Sequence, residues 1–175
     1  MTAPIIFIAG SPSPTSRSSL IARAVAEALA ADGLEAKSFS LRDFDAGDVL
    51  FARASVPAIA SFVEAAKTAA AVVLSTPVYK ATYSGGLKAL VDLIPPDALV
   101  GKPALGIATT KLPEHAVSVG AGYAALFGFF RARALDTLVV LDSQLEGEGT
   151  SLTLGAAARA RVRAAAHSLR AALTT

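Results

Sequence analysis

Short apolar runs alternate with helical stretches along this chain, and that alternation limits the fold more than any other feature. The runs over 4–9, 71–75, 104–108 and 135–141 are almost wholly apolar, while 35–40 alternates polar and apolar residues. Continuous apolar strands are those buried on both faces, as in a parallel sheet. Between them lie helix-like stretches over 19–31, 56–68, 84–93 and 121–133, and a final amphipathic one over 152–173. Asp32-Gly33 ends the first stretch and Pro95-Pro96 stops the third. Residues 42–54 read as irregular, and Thr76-Pro77 reads as the end of the third strand. The fold class expected is α/β, a doubly wound five-stranded parallel sheet with helices on both faces. Glu35 and Lys37 place the second strand at an edge. The first, third and fourth strands are the most apolar and belong in the centre, giving the order 2-1-3-4-5.

Composition narrows the classes. The chain has 175 residues, 53% hydrophobic and 17% charged, with a net charge of +2 and no cysteine. That length predicts one domain over 1–175 with a full core. Absence of cysteine excludes disulfides, thiol catalysis and Cys-based metal sites, and no other metal-ligand spacing is present. Arg159, Arg161, Arg163 and Arg170 fall at helical spacing and read as a solvated face. Without interleaved aromatics they do not make a nucleic-acid surface. No run has the form of a signal peptide or the length of a membrane span, so a cytoplasmic protein without a membrane partner is expected. The high apolar content predicts a homo-oligomer, dimer or tetramer.

The loop after the first run carries the chemistry. It reads Gly10-Ser11-Pro12-Ser13-Pro14-Thr15-Ser16-Arg17-Ser18-Ser19, between a strand and a helix. A helix N-terminus offers free N–H groups and the positive end of a dipole, the elements of an anion site. Ser11, Ser16, Ser18 and Ser19 add hydroxyls, and Arg17 adds a cationic fork. One glycine is too few for the dinucleotide fingerprint, and the Lys-Ser/Thr end of a Walker loop is missing. A phosphate held by hydroxyls and amides fits the flavin mononucleotide site of flavodoxin-like folds. The loop alone reads equally well as a Ser/Pro turn with a Ser N-cap.

In a doubly wound sheet, ligands bind beyond the carboxyl ends of the strands, where the strand order reverses. The loop after the third run, Thr76-Pro77-Val78-Tyr79-Lys80-Ala81-Thr82-Tyr83-Ser84-Gly85-Gly86, and the loop after the fourth, from Thr109 to His115, converge there with the phosphate loop.

These segments resemble a known family. Gly10-Ser-Pro with Ser16-Arg17-Ser18-Ser19, Thr76-Pro-Val-Tyr-Lys80, Tyr83-Ser84-Gly85, Leu87-Lys88, Asp92-Leu93, Gly101-Lys102, Ala108-Thr109, His115 and Asp142-Ser143-Gln144 are similar to the NAD(P)H-dependent FMN reductases. The nearest type is the alkanesulfonate-utilisation reductase, one half of a two-component monooxygenase. The resemblance runs from about Ile5 to Gln144. It implies a flavodoxin-like fold, FMN as cofactor or co-substrate, and NADPH or NADH as hydride donor. It also implies a flavin-dependent monooxygenase as the consumer of reduced flavin. Ser11, Ser16, Arg17 and Ser18, with Ser19 beside them, would then bind the FMN phosphate. Pro77, Val78, Tyr79 and Lys80 would line the ribityl chain and the ring, with Ser84 and Gly85 at the start of the next helix. Thr109 would lie by the pyrimidine edge.

One departure stands out. Where the family has Gly-Gly, this chain has Thr110-Lys111, which either crowds the ring or sets a cation beside its N1–C2=O edge. A second point is Tyr123. Relatives of this type resemble one another in an inserted helical Tyr that forms a π-bulge, and a buried helical Tyr with one hydrogen bond is the alternative. No side chain is expected to act as acid, base or nucleophile, because hydride transfer belongs to the two cofactors. Two other classes stay open: a quinone or azo-type reductase that keeps its FMN, and a non-catalytic FMN-binding protein.

Overall fold

Burial on both faces is what the apolar runs demand, and a parallel sheet between two helical layers meets it in the computed structural model, which describes residues 3–174. In chain order the elements begin with β1 (Ile5–Ala9), α1 (Arg17–Ala31), β2 (Ala36–Ser40), α2 (Ala46–Leu50), α3 (Pro57–Thr68), β3 (Ala71–Tyr79) and β4 (Thr82–Tyr83). They continue with α4 (Gly85–Val91), β5 (Pro103–Thr110), α5 (His115–Phe129), β6 (Arg133–Ala134), β7 (Leu138–Leu141), β8 (Leu145–Glu146), β9 (Thr153–Leu154) and α6 (Ala156–Ala172).

The sheet runs β2-β1-β3-β5, with β6 and β7 sharing the fifth position, and these pairs are parallel. This is the expected order 2-1-3-4-5, with the charged strand at the edge. The short β4 folds back antiparallel on the end of β3.

Alternation along the strands separates two cores. Ile6, Ile8, Val72 and Leu74 face α3, α4 and α5. Ile5, Phe7, Val73 and Ile107 face α1 and α6. Lys102 Nζ donates to the Ala66 and Lys67 carbonyls at 3.1 and 2.5 Å, closing the end of α3. Its partial burial lowers its pKa.

Four expectations are corrected. β3 does not stop at Thr76-Pro77 but continues to Tyr79. Its last pair with β1 is Ala9↔Ser75, so beyond it Pro77 has no β1 partner for an N–H to serve. The fifth strand is broken: the five residues from Ala134 to Leu138 lie against the four from Ala104 to Ile107 of β5, a one-residue bulge. The irregular segment holds the short helix α2, capped by Asp45, which accepts from the Gly47 and Asp48 amides. Finally, α5 starts at His115 rather than at 121 and ends at Phe129.

Tyr123 lies in this helix, which is α-helical throughout, without a π-turn. The residue is fully buried and its ring lies on Gly106 of β5. Its hydroxyl is 3.0 Å from both the Leu74 and Ile107 carbonyls, sharing one proton between two acceptors. Burial pushes the phenol well above its ordinary pKa, so it stays a donor. A Cβ at Gly106 would sit 2.5 Å from the ring. Gly106→Ala is therefore expected to cost about 1–3 kcal/mol through overpacking, read as a lower midpoint in chemical denaturation. An unchanged midpoint would mean that α5 does not press on the sheet there.

Candidate functional site

The three loops leaving β1, β3 and β5 enclose a cavity of 520 Å³ at the carboxyl end of the sheet. That volume lies within the range of about 300–1,000 Å³ usual for small-molecule sites.

The loop after β1 is built on Gly10. The α4 helix crosses directly over it, and a Cβ there would lie 2.2 Å from Leu87 Cβ. Ser84, the N-cap of α4, is buried and bonded three ways. Its Oγ donates to the Gly10 carbonyl at 2.6 Å and accepts from the Leu87 amide at 3.1 Å. Its own amide donates to Thr76 Oγ1 at 2.8 Å. One side chain thus fastens the loop to both the helix and β3.

Beyond Gly10 the loop braces itself. Ser11 Oγ accepts from the Ser13 amide and Ser13 Oγ from the Thr15 amide, each at 3.3 Å. Ser16 caps α1, accepting from the Ser19 amide at 3.2 Å. Among the described residues the amides of Arg17 and Ser18 find no acceptor in the protein. Two N–H groups at a helix start therefore remain open for an anion. Arg17 Nε approaches Asp142 Oδ2 at 3.7 Å, a half-exposed pair that contributes little to stability.

Of the residues expected at the site, Ser11, Ser16, Arg17, Pro77, Val78, Tyr79, Thr109, Thr110 and Lys111 line this cavity. Five stand elsewhere. Ser18 is buried, its Oγ 3.0 Å from Ser16 Oγ, and its side chain supports the loop from beneath. Ser19 faces grooves on the other side of the loop. Lys80 is exposed at a hairpin tip, Ser84 is the buried clamp, and Gly85 opens α4.

Ser13, Thr15, Leu112 and His115, which lie in the converging loops without having been singled out as ligand contacts, complete the wall together with Asp142 from outside them. Thr110 Oγ1 accepts from the Leu112 amide at 3.2 Å and lies 3.2 Å from His115 Nδ1. The sequence offered no carboxylate partner for His115. A hydroxyl five residues earlier was the available signal, since it becomes a neighbour once the helix starts at His115.

The wall carrying Tyr79 is strained. Val78↔Tyr83 and Tyr79↔Thr82 pair around a two-residue turn, with Lys80 at φ 50° and Ala81 at φ 71°. A turn of this type favours Asn-Gly, and other residues are strained there. Ser118 Oγ on α5 donates to the Ala81 carbonyl at 2.5 Å and holds the turn. Replacing Lys80-Ala81 by Asn-Gly is expected to raise stability by about 1 kcal/mol, measured as a higher Tm. A lower Tm would show that the turn is unstrained.

A family model described as NADPH-dependent FMN reductase matches residues 3–146. The FMN reductase (NADPH) of Pseudomonas putida is 37% identical over 148 residues, covering 83% of this chain and 75% of that one. A solved apo structure of the NADH:FMN oxidoreductase EmoB superposes with a TM-score of 0.87 at 27% identity, covering 97% of this chain and 89% of that one. An archaeal flavodoxin superposes at a TM-score of 0.65 with 11% identity over 98% and 99% of the two chains, a likeness of fold alone. The fold is thus flavodoxin-like, and a chain matched over all of its sheet and all three site loops belongs to the NADPH-dependent FMN reductase family.

Proposed function

We propose that this chain transfers hydride from NADPH or NADH to FMN, and that FMN binds with its phosphate on the loop of Ser11, Ser16 and Arg17. The observation that carries the site is the pair of open amides at Arg17 and Ser18, beside a guanidinium and a row of hydroxyls, at one end of a flavin-sized cavity. This donor set fits a phosphate dianion.

Bound FMN supplies the ring that accepts the hydride. The protein's part is to bind and orient. Arg17 and the α1 amides fix the phosphate, with Ser18 bracing Ser16 from below. Pro77, Val78 and Tyr79 form one side of the ring's berth, and Thr109, Thr110 and Lys111 the other. Thr110 turns its hydroxyl to Leu112 and His115, so its side chain need not crowd the ring. Lys111 is exposed at the wall and brings positive charge to it. Ser84 acts through the loop it holds, with Gly85 following it at the start of α4. Holding two rings in contact is the main source of rate, as expected where proximity replaces acid–base chemistry.

The outer side of α5 is uncharged and exposes Val117 and Phe129 at 79% and 64%. This supports assembly as a homodimer or homotetramer. Among the described residues no helix is long and apolar enough to cross a membrane. We place the protein in the cytoplasm, handing reduced FMN to a flavin-dependent monooxygenase of the alkanesulfonate type.

The test is anaerobic mixing of the protein with FMN and either NADPH or NADH, following the flavin's visible absorbance. Bleaching in proportion to protein is expected; none with either donor would overturn the reading. Arg17→Ala should weaken FMN binding about tenfold or more while the reduction rate at saturating FMN changes little. An unchanged FMN Kd would remove Arg17 from the phosphate site.

A further inference from the structure

A second cavity, of 430 Å³, lies on the far side of the phosphate loop, between α1 and β2. It meets the main cavity at Ser13, which lines both. Its inner wall is apolar, with Phe7 from β1 and Ala26 from α1. In the middle of β3, Ser75 follows Val73 by two and so turns to the same α1 side. Ser75 is 1% exposed and lines this cavity. Its Oγ is the one buried side-chain polar atom among the described residues without a hydrogen-bond partner. Buried hydroxyls are almost always paired, so an unpaired one lining a cavity marks a missing acceptor or donor.

The outer part of the groove is cationic. Arg23 projects from α1 and Arg42 from the turn after β2. Arg42 Nη1 donates to the Pro12 carbonyl at 3.1 Å. The Arg23 side chain makes no hydrogen bond or ion pair with any described residue. The opposing carboxylate, Asp43, accepts from the Ser40 amide at 2.7 Å. The groove therefore offers a small apolar floor of Ala9 and Ala26 above the buried Phe7, one deep hydroxyl and two guanidinium groups, of which one is wholly free. A purine with a phosphate on its ribose has the complementary chemistry.

We propose that this groove takes the adenosine 2′-phosphate end of NADPH, with the phosphate on Arg23 and Arg42, the purine over Ala9 and Ala26 and a base or ribose atom reaching toward Ser75. Because Ser13 lines both cavities, a dinucleotide would run from the flavin cavity over the loop after β1 into the groove. NADH lacks the phosphate, so Arg23 and Arg42 set the preference between donors. This rests on the reductase reading and adds to it the residues that distinguish the two nucleotides.

The experiment is calorimetric titration of the FMN-saturated protein with adenosine 2′,5′-bisphosphate and with adenosine 5′-monophosphate. The bisphosphate is expected to bind about tenfold tighter or more, the usual effect of a charge-assisted phosphate contact. Arg23→Ala should abolish that difference, and Arg23→Lys should keep part of it. Ser75→Ala should weaken both nucleotides by the same factor. In turnover, Arg23→Ala should raise the ratio of the KM for NADPH to that for NADH by about the same tenfold. Arg23 is exposed, so its replacement leaves the fold intact. Equal affinity for the two nucleotides, no binding of either, or a preference that survives Arg23→Ala would overturn the assignment. Failure of the reductase reading would show separately, as FMN that neither donor bleaches.

Discussion

One buried hydrogen bond, from Ser84 Oγ to the Gly10 carbonyl, holds the site in register with the sheet. It joins the end of β1 to the start of α4, and through the Ser84 amide it also holds Thr76 on β3. The contact exists because Gly10 has no side chain and α4 can descend onto it. Everything the phosphate loop offers outward depends on this inner fastening. The loop hydroxyls of Ser11, Ser13 and Ser16 are largely engaged in bracing backbone amides. In those bonds each hydroxyl accepts and keeps its own O–H to donate, so the loop offers positioned hydroxyls beside main-chain N–H groups fixed in direction before any ligand arrives. Such preorganisation lowers the ordering cost of binding.

The opposite wall is built on α5. His115 at its first turn meets Thr110, Ser118 one turn later holds the strained Lys80-Ala81 turn, and Tyr123 anchors the helix flat on Gly106. One rigid helix thus positions both the β5 loop and the β3–β4 hairpin. Strain in that hairpin is the sort found where a loop must present a side chain in a fixed place, here Tyr79 at the cavity wall.

Much of this was legible in the sequence because burial writes itself into composition. Strands inside a parallel sheet must be apolar on both faces, which made β1, β3 and β5 plain and left the polar β2 for the edge. The strand order and the meeting of three loops followed from topology. What escaped depended on contacts between distant residues. The first turns of α5, before residue 121, were not read as helix, and the reason for Gly122 lies in a distant contact: a Cβ there would lie 2.8 Å from Thr82 Oγ1, so β4 packing requires the glycine inside α5. Pro77 reads as a strand breaker, and only the end of β1 beside it makes it harmless. Ser18 and Ser19 look equivalent to Ser16 in sequence. Helix geometry turns one inward and the other to the far side. The unpaired Ser75 had no sequence signal, because its partners could be counted only once α1 was in place.

The central claim is that the loop after β1 recognises a flavin through its phosphate, by amides and a guanidinium set before binding. Comparing FMN with riboflavin, which has the same ring and ribityl chain without the phosphate, tests this most directly. Quenching of flavin fluorescence on titration with protein gives both affinities. The account predicts that FMN binds at least about 100-fold more tightly, as several charge-assisted bonds require. Equal affinity for the two flavins would contradict it.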